Sequence, residues 1–157
     1  MRKFILLVIL CFMLNCSSQI EPIAYVNINN IEQWSEDDVD LLSRIQSYRL
    51  GLGLSVLEPS RDIHNIAIER LETMKLTGGI SHDGIGAVFD KVISFGYTHP
   101  TEILAYGYSS NESTLNSWKN SESHNEAIVQ GGKLYVGVHV TIYKGKRYCI
   151  VIFAKLK

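Results

Sequence analysis

The clearest hydrophobic pattern lies near the C-terminus. Leu134, Val136, Val138, Val140 and Ile142 alternate with Tyr135, Gly137, His139, Thr141 and Tyr143, a period of two that predicts a half-buried strand. Lys144-Gly145-Lys146 follows as a turn, and Arg147 to Ala154 predicts the partner strand of a hairpin. Upstream the period lengthens to that of a helix. Ser35 stands at an N-cap with Glu36, Asp37 and Asp38 in the favourable first turn. Val39, Leu42, Ile45 and Tyr48 share one face, and Gly51 and Gly53 end the helix. Pro59-Ser60 opens a second helix whose inner face is Ile63, Ala67, Arg70/Leu71 and Met74, and Gly78-Gly79 closes it. Asp83 is placed to cap a third, with Val88, Phe89 and Val92 inward and Gly96 as its stop. His99-Pro100 reads as a turn, and Ile103 to Tyr108 as a strand with Glu102 at its start. Ser110 caps a short helix carrying Leu115 and Trp118, Ser121 caps the turn that carries His124, and Gly131-Gly132 interrupts the chain. Helices, one strand, a helix and a hairpin make an α+β protein.

The first residues carry a different pattern. Arg2-Lys3 precede an unbroken apolar run from Phe4 to Leu14, too short to span a bilayer, and Asn15-Cys16-Ser17-Ser18 follows. We read residues 1–16 as a signal peptide ending in a lipobox-like Cys16 that receives the lipid. Residues 17–34 are read as a tether and 35–157 as the domain. The chain is thus expected to be exported and lipid-anchored in the cell envelope, with secretion after an ordinary cleavage as the alternative. Membrane contact is expected through the anchor only. At 157 residues, 46% hydrophobic and 20% charged, one domain with a real core is expected. The net charge is −1 and no basic stripe is present, so nucleic acid is excluded as a partner. Of the three cysteines only Cys149 falls in the domain, inside an alternating strand pattern. Disulfide stapling is therefore not expected, and Cys149 is read as a buried, inert thiol.

Candidate chemistry concentrates between Ser81 and His124. His82, Glu102 and His124 are the ligand types of a Zn-class metal and equally those of proton transfer. Their separations, 20 and 22 residues, form no short metal motif. His64, beside Ile63, is read as packing or facing solvent, and His99 as a surface turn residue, with an approach to the cleft as the alternative. His139 is on the strand face opposite Val138; it reads as solvent-facing, with a place in the cleft as the alternative.

The motifs around these residues resemble those of the CAP superfamily, the SCP/PR-1-like domain of cysteine-rich secretory proteins, antigen 5 and pathogenesis-related 1 proteins. Ser81-His82 after a long helix matches the family's Ser-His. Thr101-Glu102-Ile103-Leu104-Ala105 echoes its Gly-Glu-Asn-Ile-Ala. Trp118, Ser121 and His124 match the bacterial Trp-x-x-Ser-x-x-His, and Val136-Gly137-Val138 its late Gly-Val strand. Gln46 and Arg49 stand where the family often has Asn-x-x-Arg. The likeness runs from about Asp40 to the C-terminus and is to a bacterial, lipoprotein-type member.

The resemblance implies an α-β-α sandwich with a small antiparallel sheet between helical layers. It also implies that His82, Glu102, Ser121 and His124 line one cleft. Many animal and plant members carry an acid where this chain has Ser121. A Zn or other divalent ion would then have three protein ligands at most, His82, Glu102 and His124, and an open position for water. The function implied is an extracellular binding module for a small ligand or partner. The alternative is a metal-dependent, protease-like hydrolase using Glu102 and His124 in the same cleft. A serine nucleophile at Ser81 or Ser121 lacks a nucleophile elbow, and no feature of the sequence demands turnover.

Overall fold

The computed structural model describes residue 31 and residues 33–157. The expected leader, Cys16 and the tether up to residue 30 lie outside these residues. Five helices and four strands follow in the order α1 (Glu36–Gly51), β1 (Leu57–Pro59), α2 (Arg61–Thr77), α3 (Ile85–Ser94), β2 (Tyr97–Tyr106), α4 (Asn111–Lys119), α5 (Glu122–Val129), β3 (Leu134–Tyr143) and β4 (Lys146–Leu156). The strands form one sheet in the order β1-β3-β4-β2. The β3–β4 hairpin is its centre, β2 adds antiparallel to β4, and short β1 adds parallel to β3.

Each face of the sheet is covered by its own helices. The alternation in β3 sends Val136, Val138 and Val140 to one side, where they meet Leu41, Leu42 and Ile45 of α1, Trp118 of α4 and Ile128 of α5. The other face carries Leu104, Ile150 and Ile152 and packs against Ile63, Ala67 and Leu71 of α2 and Val92 of α3. This is the expected α+β sandwich with helices on both faces of a small sheet. Gly137 explains how closely α2 approaches. A methyl group there would collide with the backbone of Ile63 and His64, so the absent side chain is what seats the helix on the strand.

Local signals account for the helix ends. Ser35 and Asp38 form a reciprocal capping box on α1, and Ser110 and Ser113 one on α4. Ser60 caps α2 through the amide of Ile63, and Gly78 closes α2 in the left-handed region at φ +82°. Asp83 does not cap α3. Gly84, at φ +73°, occupies that position without a side-chain bond. Of the residues expected inward on α3, Val92 is buried, while Val88 and Phe89 are half-buried. His99-Pro100 is not a turn between elements but an irregularity within β2. The register slips between Thr98 and Thr101, and His99 takes φ +51° and is exposed. The strand therefore begins at Tyr97, and Glu102 sits in its middle.

Two further positions differ in place. Trp34, at the end of the stretch read as tether, is buried and stacks on His64 with ring centroids 4.4 Å apart. Ile142, which continues the apolar alternation, is 61% exposed at the end of β3. Cys149 is fully buried, and burial pushes its thiol up to about 11, which keeps it un-ionised and inert.

Candidate functional site

Glu102 is the centre of the site. It lies on β2 opposite Ile152, on the face covered by α2. Its side chain is almost completely buried, with both carboxylate oxygens engaged. His82 Nδ1 stands 2.8 Å from Oε1, and Arg70 of α2 donates through Nε to Oε2 at 3.2 Å. Arg70 also donates through Nη2 to the carbonyl of Ser81 at 2.9 Å. One guanidinium thus fixes both the carboxylate and the backbone next to His82. A buried carboxylate is stable only when paired and hydrogen-bonded in this way.

The chain reaches His82 by a short reversal. Gly78 ends α2, the Ser81 hydroxyl accepts from the Asp83 amide at 3.0 Å, and Gly84 turns the backbone into α3. His82 is left exposed, with 57% of its side chain accessible, yet its ring is oriented from behind. If Nδ1 carries the proton toward Glu102, Nε2 presents a lone pair outward.

His124 comes from α5, which is tied to α1. Arg49 is fully buried, with no carboxylate partner among the described residues. It donates to the carbonyls of Ser55 (2.9 and 3.1 Å), Ile128 and Gln130 (2.9 Å), while Tyr48 donates to Asn125 at 3.0 Å. Gln46 bonds the amide and carbonyl of Leu57, both at 2.8 Å. It does from this position the work of anchoring a loop to α1. Ser121 precedes α5 but makes no side-chain cap. Its hydroxyl is committed to His124 Nδ1 at 2.6 Å. Burial, and then the charge of His82, lower the pKa of His124. Both effects favour the neutral imidazole, and His82 is near enough for its charge to be felt. The structure therefore joins His82 to Glu102 directly, sets His124 within electrostatic reach of His82, and binds Ser121 to His124.

Trp118 packs in the core, and its indole nitrogen donates to the carbonyl of Leu104 on β2 at 3.0 Å. It holds the α4–α5 segment against the strand that carries Glu102, as an anchor rather than a ligand platform.

His139 does not face solvent and does not join His82. Its side chain is 15% exposed, with Nδ1 3.4 Å from Asp38 and Nε2 3.8 Å from Glu72. Asp38 also accepts the Val140 amide at 2.6 Å. Burial alone would raise the Asp38 carboxyl, but the neighbouring His139 ring and hydrogen bonds from Ser35 hold it below its ordinary value. Beside them His64 is buried and its Nδ1 lies 2.6 Å from the carbonyl of Val138. A carbonyl only accepts, so Nδ1 holds the proton and Nε2 is a bare lone pair. That atom, His139 Nδ1 and Trp34 Nε1 are buried without a hydrogen-bond partner among the described residues.

Arg70, Asp38 and their bonds are the functional and structural partners that the sequence pattern hides. The one available signal is an arginine on the inward stripe of an amphipathic helix, which needs a buried acid to meet it.

Among the described residues, no group of three or more His, Cys, Asp or Glu side chains could hold a metal ion. The donor chemistry explains this at the cleft. Both oxygens of Glu102 are occupied, one by a cation, so Glu102 stands behind His82 instead of beside it. What fits a Zn-class ion is the outward Nε2 of His82, with Glu102 as the orienting carboxylate, and Nε2 of His124 if its Nδ1 donates to Ser121.

Comparison with known proteins agrees with this architecture. An outer surface protein of Borrelia burgdorferi superposes with a TM-score of 0.72 at 26% identity, over 78% of this chain and 95% of that one. An extracellular protein containing a SCP domain from Bacillus anthracis gives 0.62 at 22% identity, over 76% of this chain. A cysteine-rich secretory protein from Staphylococcus aureus gives 0.65 at 21%, over 80% of this chain. This chain spans only 40% of each of the latter two. No curated protein matches the sequence significantly. The pattern of the CAP, or cysteine-rich secretory protein, family matches residues 42–154, and the chain belongs to that family.

Proposed function

We propose that this protein is an exported, cell-surface binding module of the CAP type, a bacterial lipoprotein held to the envelope by a lipid on Cys16. Its cleft, built on His82, Glu102 and His124 with Ser121 behind His124, takes a Zn-class divalent ion weakly and reversibly, or a small apolar ligand beside the imidazoles. The observation that carries this reading is the buried Glu102 carboxylate shared by Arg70 and His82. A carboxylate spent on orienting an exposed histidine has a purpose only if the free edge of that ring meets something. The surface location draws support from the apolar run 4–14 and from likeness to proteins described as outer-surface and extracellular.

Calorimetry with Zn at neutral pH tests the cleft. The wild type is expected to bind weakly, because two imidazoles are fewer ligands than a closed site supplies. The His82→Ala/His124→Ala double variant is expected to lose that heat. Identical isotherms would refute a metal site and leave a polar groove for an organic ligand.

A metal-dependent hydrolase in the same cleft is the second reading. Its support is His124, favoured in its neutral form, as a proton acceptor must be, and in contact with Ser121. Turnover of a casein or ester substrate that disappears in His124→Ala would favour it. Absence of turnover with Zn bound would reject it.

A further inference from the structure

A second groove lies between the end of α2 and the β3–β4 turn. It encloses about 430 Å³ and is lined by Lys75, Tyr106, Tyr143, Lys144, Lys146 and Tyr148, among others. It shares no residue with the cleft at His82, Glu102 and His124. Volumes of this size suit a small ligand or a few units of a longer one.

Its charge is out of keeping with the rest of the chain. The protein is net negative, yet three lysines meet here. Lys75 pairs with Glu72, while Lys144 and Lys146 have no carboxylate partner among the described residues. Tyr143 gathers two of these cations. The ammonium of Lys75 is 5.8 Å and that of Lys144 5.1 Å from its ring centroid. Lys75 is compensated by Glu72, but Lys144 and Lys146 flank the β3–β4 turn without a countercharge among the described residues, and an anion in the groove would supply one.

The remaining walls narrow the ligand. Tyr106 and Tyr148 pack on one another at 4.8 Å and 58°, and Tyr143 is already taken by cations. No open pair of aromatic faces is left to sandwich a flat base. Lys75, Lys144 and Lys146 share the lining with the tyrosines and with Leu76, Thr77 and Gly78, so charged heads stand among its apolar surface and disfavour a long hydrocarbon chain. What remains is a mixture of ring edges, the exposed Leu76, the hydroxyls of Thr77 and Tyr106, and positive charge. That mixture matches a sugar, whose C–H faces lie on aromatic carbon and whose hydroxyls pair with phenols, provided that the sugar carries an oxyanion.

We infer that this groove binds an acidic saccharide, with its sulfate or carboxylate groups on Lys144 and Lys146. The site is independent of the proposed metal cleft.

Titrating the full chain with a sulfated tetrasaccharide, followed by calorimetry, tests this. Binding is expected for the wild type and for His82→Ala/His124→Ala. The Lys144→Gln/Lys146→Gln variant is expected to bind about fivefold more weakly or worse, and added salt to weaken the wild type. Both lysines are exposed at a turn, so the variant should fold, which its melting curve verifies. Lys119→Gln/Lys133→Gln is the control. Those lysines also lie over tyrosine rings, Tyr48 and Tyr135, but line no part of this groove, and their loss should leave binding unchanged. The desulfated tetrasaccharide binding as well as the sulfated one would overturn the inference, as would unchanged affinity in the Lys144/Lys146 variant. Inorganic sulfate binding as tightly as the saccharide, or binding to anionic vesicles with none to the saccharide, would overturn it also.

Discussion

The Nε of Arg70 donates to Oε2 of Glu102 across the interface of α2 and β2. The same guanidinium holds the carbonyl of Ser81, so one side chain of the helix fixes both the acid on β2 and the turn from which His82 projects. Removing Arg70 leaves a buried carboxylate whose remaining side-chain partner among the described residues is the exposed imidazole of His82. Arg70→Met is expected to cost about 3 kcal/mol in urea unfolding at neutral pH, the low end for breaking a buried pair. Loss of less than about 0.5 kcal/mol, the range of an ordinary surface substitution, would show that the pair holds nothing together.

Glu102→Gln asks a narrower question. The amide keeps the shape but neither orients the ring as firmly nor raises its basicity. Zn affinity measured by calorimetry is expected to fall about tenfold, as for other outer partners of a ligand histidine. Complete loss would instead make Glu102 a direct ligand.

Acid should destabilise the fold before the carboxylates titrate. Burial lowers the pKa of His64, against opposing contributions from the Val138 carbonyl and Asp38. In the unfolded chain the same imidazole takes a proton near ~6.5. Below that pH the unfolded state binds a proton that the native state refuses, so stability falls as pH falls toward the lowered native value. His124, also lowered, acts in the same direction, and Asp38 adds its own loss at lower pH. Urea midpoints at pH 7.5 and 5.5 should differ for the wild type and differ less for His64→Gln. An equal drop in both would show that His64 is not the group responsible.

Gly137→Ala places a methyl group against the backbone of Ile63 and His64. Backbone cannot swing aside as a side chain does, so a loss of about 3 kcal/mol, the upper end for overpacking, is expected in thermal or urea unfolding. Trp118→Ala, by truncation, should cost about 3–5 kcal/mol. A melting temperature unchanged in either variant would contradict the packing described.

Cys16→Ala tests the anchor in detergent partitioning of the exported protein. The wild type is expected in the detergent phase and the variant in the aqueous phase. Equal aqueous partitioning would remove the lipid while leaving export intact.

Strong periodicity is readable from the residues alone, and long-range pairing is not. Val136, Val138 and Val140 announce β3 because a strand with one face in a core must alternate. β1 carries three residues and is a strand only because β3 lies alongside it. β2 hides its start, since His99-Pro100 has the composition of a turn and the bulge that absorbs it depends on pairing with β4. The site divides in the same way. His82, Glu102 and His124 stand out as residue types, and the resemblance gathers them. Arg70 is one more position on a helix stripe until Glu102 is brought opposite it. Strand alternation alone turns His139 outward, but the far face of this sheet is covered by α2, whose Glu72 meets the ring from one side while Asp38 of α1 meets it from the other.

The indole of Trp118 has a consequence outside its own neighbourhood. β2 forms one margin of the sheet, and a margin strand offers unpaired carbonyls and amides to any other extended chain. Trp118 takes the Leu104 carbonyl in the buried stretch of that strand, while Pro100 and the bulge interrupt its other end. The row is thereby broken at both ends for strand-to-strand docking. Copies crowded side by side can touch without their sheets fusing into a continuous ribbon.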